Sequence, residues 1–240
     1  MNLDSFKIRM FVDAANLMSV KQLKSEALVS GFTTNPTLMK QAGVDNYLDF
    51  ARDIVSMANP LSVSLEVISD DFSEMELQAT LLSQLGRNVI VKIPITNTKG
   101  ESSLHTVVSL TKKGIPVNVT AIMTKHQIES SIQALEGTPS GIISIFAGRI
   151  ADTGLDPCEY IEFAIKRNVS KNVKVLWASP REILNLIQAE NLGCDIITMT
   201  PELWKKITIL GTDLEQYSRA TVQMFFDDAQ KAGYKINPES

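Results

Sequence analysis

Histidine and cysteine are scarce in this 240-residue chain, with two of each: His105 and His126, Cys158 and Cys194. They are scattered, so a zinc site or a Ser-His-Asp triad has little material to draw on. Two isolated cysteines read as reduced core residues rather than as a disulfide or a metal pair. His105 falls on a helical stretch and His126 in a capping segment, and both read as structural or solvent-facing. Aromatic residues make up 6% of the chain, and Trp177 and Trp204 read as packing. Basic blocks are absent, and 23 Lys and Arg against 27 Asp and Glu give a net charge of −4. Nucleic acid and anionic membrane surfaces are therefore poor partners. The longest apolar runs are strand-sized, far below the ~20 residues a membrane span needs. Met1–Arg9 lacks the charged-then-apolar pattern of a signal peptide. The sequence predicts a soluble cytoplasmic protein with neither membrane nor nucleic-acid partner.

What is present is regular. Apolar residues are 44% and charged residues 21% of the chain, near globular averages. Short β-branched runs alternate with amphipathic stretches. The runs that read as strands are Ile8–Asp13, Gly31–Asn35, Leu61–Val67, Val89–Pro94, Val117–Ile122, Gly141–Ala147, Val173–Ala178 and Asp195–Met199. Most are apolar on both faces, the mark of strands buried in a parallel sheet. Helix starts lie between them. Ser19–Gln22 and Thr124–Gln127 read as capping boxes. Asp156-Pro157, Ser179-Pro180 and Thr200-Pro201 place a proline where a helix begins. Eight such units predict an α/β fold, a (β/α)8 barrel. A doubly wound sheet is the rival, but no Gly-x-Gly-x-x-Gly follows the first strand. The expected organisation is one barrel domain over 1–240, with an extra C-terminal helix at about 212–235 carrying Val222, Phe225 and Phe226. That helix could cover the barrel mouth or dock on a second copy.

Active residues of a barrel sit at the carboxyl ends of its strands. Lys92 interrupts the apolar strand Val89–Ile95, and a buried lysine is costly unless paired or neutral. A neutral amine is a nucleophile toward carbonyls; the plainer reading is a lysine paired with a buried carboxylate. Asp13 and Glu66 end the first and third strands and supply acid/base material, or else cap a helix or pair with Lys92. Asn35, before Pro36, suits a turn and cap. Asn118 and Thr120 share a strand face, as do Ser144 and Phe146; such amide and hydroxyl groups suit sugar hydroxyls. Arg149 follows the sixth strand. Arg181 is expected in the first turn of a helix capped by Ser179. The two arginines suit a phosphate clamp, or else pair with Asp152 or Glu182.

Four motifs, Thr33-Thr34-Asn35-Pro36-Thr37, Val91-Lys92-Ile93-Pro94, Asn118-Val119-Thr120 and Ser144–Asp152, resemble the transaldolase family of class I aldolases in the same order along nearly the whole chain. The resemblance implies that Lys92 forms a Schiff base with a ketose phosphate, on the fourth strand as in this family. It implies that Glu66 and Thr120 hold a water for proton transfers and that Asp13 is the acid/base at the breaking carbon–carbon bond. Asn35, Asn118 and Ser144 would hydrogen-bond hydroxyls of the transferred unit, Arg149 and Arg181 would bind the phosphate, and Thr34, Phe146 and Ser179 are further substrate-binding residues. No metal or organic cofactor is implied, and related proteins are dimers or ring-based decamers. Short members that release free dihydroxyacetone typically carry glutamine at position 66 and tyrosine at position 146. Glu66 and Phe146 are as in the transferring members, whereas the chain length is nearer that of the short ones. Pro180 departs from the pattern, standing where an aromatic residue is common.

Overall fold

The computed structural model describes residues 5–236. Eight parallel strands close into one barrel in chain order, with the first pairing the last. They are β1 (Arg9–Asp13), β2 (Val29–Thr33), β3 (Ser62–Glu66), β4 (Val89–Pro94), β5 (Val117–Ile122), β6 (Gly141–Ile145), β7 (Val173–Trp177) and β8 (Ile196–Met199). The helices are α1 (Leu17–Leu23), α2 (Pro36–Gln41), α3 (Tyr47–Ala58), α4 (Phe72–Ser83), α5 (Leu104–Lys112), α6 (Lys125–Ala134), α7 (Ala147–Ala151), α8 (Cys158–Arg167), α9 (Leu184–Leu192), α10 (Pro201–Lys205) and α11 (Leu214–Ala232). The (β/α)8 barrel read from the alternating pattern is the fold observed.

Residues 5–205 form one compact unit, the barrel, and residues 206–236 another. The second holds a short 3-10 turn, Lys206–Ile209, and α11. The side chain of Asp213 caps α11 through the Gln216 N–H, and Gly233 ends it in a left-handed conformation. The expected domain range, 1–240, includes 1–4 and 237–240, which lie outside the described residues.

The interior is layered. Phe11, Ile142, Leu176 and Ile196 form its apolar plug, with Ile90 and Phe146 packed against it. Phe11 fits because its neighbour across the β1–β2 ladder is Gly31. A Cβ on Gly31 would lie 2.7 Å from the Phe11 ring. Further along the strands toward their carboxyl ends the side chains turn polar: Asp13, Thr33, Ser64, Lys92, Asn118, Ser144, Thr198. Strand alternation places these on the same inner face as the plug, two residues onward. The polar layer is thus built on an apolar plug, at the end where the βα loops begin.

Two helix starts differ from expectation. Asn16, rather than Ser19, caps α1, its side chain accepting the Ser19 N–H. Ser179 caps no helix: α9 starts only at Leu184, and Asn185 Oδ1 accepts the backbone N–H groups of Arg181 and Glu182. The Ser-Pro signal fails because Ser179 is held at φ 58, a left-handed conformation incompatible with the extended backbone of an N-cap. The box at Thr124 and Gln127 forms in full. β2 begins at Val29 and ends at Thr33, short of Asn35, because Asn35 is the N-cap of α2.

Candidate active site

A cavity of about 500 Å³ opens among the carboxyl ends of the strands. Its wall includes Asp13, Asn35, Glu66, Lys92, Thr120, Ser144, Phe146, Arg149 and Ser179, nine of the twelve residues singled out from sequence. The remaining three, Thr34, Asn118 and Arg181, lie off the wall.

Lys92 is 5% exposed and its Nζ is held from two sides. Glu66 Oε2 lies 2.9 Å away, and the carbonyl of Thr34 accepts from Nζ at 3.0 Å. Parallel register sets the first contact, since Glu66 and Lys92 are directly paired across β3 and β4. Both readings of Lys92 therefore meet: it is paired with a carboxylate, and it faces the cavity. Thr34 acts here through its backbone; its hydroxyl donates to the Ser64 carbonyl at 3.3 Å.

Asp13 sits across the cavity at the end of β1. Thr33 Oγ1 donates to one carboxylate oxygen at 3.1 Å and Asn35 Nδ2 approaches the other at 3.4 Å. Burial raises the Asp13 pKa above the usual carboxylate range; Lys92 and the Thr33 hydroxyl pull against that, and Glu66 adds to it. Asn35 serves two roles at once, as its Oδ1 caps α2 through the Leu38 N–H.

Asn118 lies beneath the cavity rather than on its wall. It donates to Ser64 Oγ at 3.2 Å and accepts from Ser144 Oγ at 2.7 Å, a buried chain across β3, β5 and β6. Two residues on, Thr120 reaches the wall. The ladder register between β5 and β6 shifts between Val119 and Ile122, and Ala121 stands at φ 61. Such an irregularity re-aims the neighbouring side chain. Thr120 Oγ1 is buried with no hydrogen-bond partner among the described residues.

Three further residues take part in the site. Thr33 and Thr198 share a 2.5 Å hydrogen bond and both line the cavity. A hydroxyl at an inward-facing strand position was the available signal. Tyr47 of α3 donates to the Glu66 carbonyl, a contact that no local pattern encodes. Among the described residues, no group of three or more His, Cys, Asp or Glu is placed to hold a metal ion. No helix among them is long and apolar enough to cross a membrane.

A sequence model described as Transaldolase/Fructose-6-phosphate aldolase matches residues 10–238, from β1 past the end of α11. The chain belongs to that family. It is thus a transaldolase-type enzyme on a class I aldolase barrel. Similar proteins include a "Probable transaldolase" of Nitrosopumilus maritimus (strain SCM1), 36% identical over 208 residues, covering 83% of this chain and 87% of that one. Another, of Thermoanaerobacter sp. (strain X514), is 30% identical over 231 residues, covering 95% and 100%. A crystal structure from Burkholderia cenocepacia J2315, named for a phosphonomutase, superposes with TM-score 0.58 over 90% of this chain and 94% of that chain. At 11% identity that likeness concerns the barrel alone. On the cavity wall an amine, two carboxylates and a set of hydroxyls converge.

Proposed function

We propose that this member of the family transfers a dihydroxyacetone unit from a ketose phosphate, such as fructose 6-phosphate or sedoheptulose 7-phosphate, to an aldose phosphate through a Schiff base on Lys92. The observation that carries the reading is the 2.9 Å contact of Lys92 Nζ with Glu66, inside a cavity that Asp13 faces. A lysine must lose a proton before it can attack a carbonyl, and Glu66 is in place to take it.

The steps then follow from the residues. Nζ adds to the ketone carbon, and the carbinolamine loses water to give the protonated imine. Glu66 and Thr120 flank the place where that water forms, and a water or substrate hydroxyl would satisfy the unpartnered Thr120 Oγ1. Asp13 takes the proton of the hydroxyl on that carbon of the breaking bond which becomes the aldehyde. The bonding electrons pass into the imine, leaving an enamine on Lys92 and an aldose phosphate. The acceptor aldehyde reverses these steps, Asp13 returning the proton, and hydrolysis frees Lys92. A raised Asp13 pKa suits a group that must both take and give a proton.

Asn35 and Ser144 are proposed to bind hydroxyls of the three-carbon unit, with Asn118 orienting Ser144 from below. Phe146 supplies an apolar wall. Arg149 and Ser179 face the phosphate end, and Arg181 reaches it from outside the wall. The enzyme is proposed to need no cofactor and to work in the cytoplasm as a homo-oligomer, with Phe225 and Phe226, both more than half exposed, as contacts to another copy. Incubation with fructose 6-phosphate and an aldose phosphate acceptor tests the reading. Transfer requires the acceptor, whereas release of free dihydroxyacetone without it marks an aldolase instead.

A further inference from the structure

Arg181 does not line the cavity; its fork is already filled. Nε donates to Asp152 Oδ1 at 3.0 Å and Nη2 donates to Oδ2, a two-pronged grip on one carboxylate. A guanidinium holds two phosphate oxygens with the same pair of N–H groups. Asp152 ends α7, three residues after Arg149, which does line the cavity. Its charge interacts with both arginines.

The loop after β7 is laid directly on α7. The Gly148 N–H donates to the Ala178 carbonyl at 3.4 Å. A Cβ on Gly148 would sit 1.6 Å from the Ser179 carbonyl oxygen and 3.2 Å from Arg181 Nε. Ser179, a wall residue in a left-handed conformation, thus joins the loop that carries Arg181 to the helix that carries Arg149. The Arg181–Asp152 pair is 45% and 49% exposed, against 7% and 16% for Lys92–Glu66. Water screens both charges of a half-exposed pair, so an anion that offers the same two-pronged geometry competes with the carboxylate.

We propose that Asp152 is the resting counter-ion of Arg181, and that a phosphate ester entering the cavity displaces it. Arg181 exchanges one two-pronged anion for another, and Asp152 takes the arginine back when the phosphate leaves. The proposal rests on the phosphate-binding reading of these arginines given above. Its consequence is kinetic. A transfer enzyme must release one phosphorylated product before the next phosphorylated acceptor enters, and a carboxylate competing for Arg181 keeps that phosphate from binding too tightly. Asp152 is in this sense a specificity-setting residue that touches no reacting atom.

The test is a calorimetric titration with inorganic phosphate of the full-length wild type, Asp152→Asn, Arg181→Gln and the double variant. Asp152→Asn is expected to lower the phosphate Kd roughly two- to fivefold, the scale of one exposed ion pair. The gain is expected to vanish in the Arg181→Gln background. An unchanged or weaker affinity in Asp152→Asn would overturn the exchange, leaving Asp152 as a support that only orients Arg181. An equal gain without Arg181 would overturn it too, because overall charge alone would then suffice. So would phosphate binding that does not respond to Arg181→Gln. The titration needs no chemistry at Lys92. An enzyme that binds phosphate as described but forms no adduct at Lys92 would contradict the transaldolase reading and leave the exchange standing.

Discussion

Tyr47 and Glu66 are joined by a hydrogen bond of 2.5 Å, the phenol of α3 donating to the backbone carbonyl at the end of β3. Burial and the nearby Glu66 carboxylate push the Tyr47 pKa well above its ordinary value, so the hydroxyl stays a donor. This contact ties a helix outside the barrel to the strand end whose side chain holds Lys92. Tyr47→Phe removes the grip but keeps the ring. It is expected to lower kcat about fivefold, the equivalent of one net hydrogen bond of ~1 kcal/mol, with little change in KM. A change confined to KM would contradict a role in positioning Glu66.

Thr33 donates to the Asp13 carboxylate and so favours its charged form. Thr33→Val removes that donor. The Asp13 pKa, already raised by burial, should rise further. As the proposed base, Asp13 must be ionised to accept the substrate proton, so activity is expected to fall as pH drops through that pKa. The acid limb of kcat/KM is therefore expected above the usual aspartate range in the wild type and higher again in Thr33→Val. A limb that stays in place or moves down would contradict the assignment of Asp13 as the base.

The barrel itself is legible in the sequence because most strands are apolar on both faces and amphipathic stretches, several with a start signal, alternate with them. Lys92, Asp13 and Glu66 stood out because charge at the end of an apolar strand has few cheap explanations. Other features were hidden for identifiable reasons. Ser179 resembled an N-cap because local sequence does not reveal a left-handed backbone, which here follows from the packing of the β7 loop on α7. Asn118 shared a face with Thr120 as read, but the depth of each within the barrel depends on closure of the sheet. Tyr47 acts across 19 residues of chain, through a contact that periodicity cannot report.

Gly148 leaves room for the Ser179 carbonyl, and a methyl group there would meet backbone that cannot move aside cheaply. Gly148→Ala is expected to destabilise the fold by ~1–3 kcal/mol and to spread Arg149 from Ser179. Thermal unfolding and the KM for a sugar phosphate check this. A variant with wild-type Tm and KM would show that the loop packs more loosely than described.

Phe225 and Phe226 of α11 are exposed apolar residues on the second unit. The proposed self-association is expected to be lost in Phe225→Glu with Phe226→Glu, read by light scattering. A wild type that is already monomeric at micromolar concentration would contradict self-association through this helix.

Lys92 is proposed to be the nucleophile. Lys92→Met should leave the fold intact, since methionine fills similar volume without charge, and should abolish turnover. The most direct measurement is reduction with borohydride during incubation with fructose 6-phosphate, followed by intact and peptide mass determination. A dihydroxyacetone-sized adduct on the peptide carrying Lys92, discharged by erythrose 4-phosphate before reduction, is the result predicted. An adduct on another lysine, or none with any ketose phosphate, would contradict it.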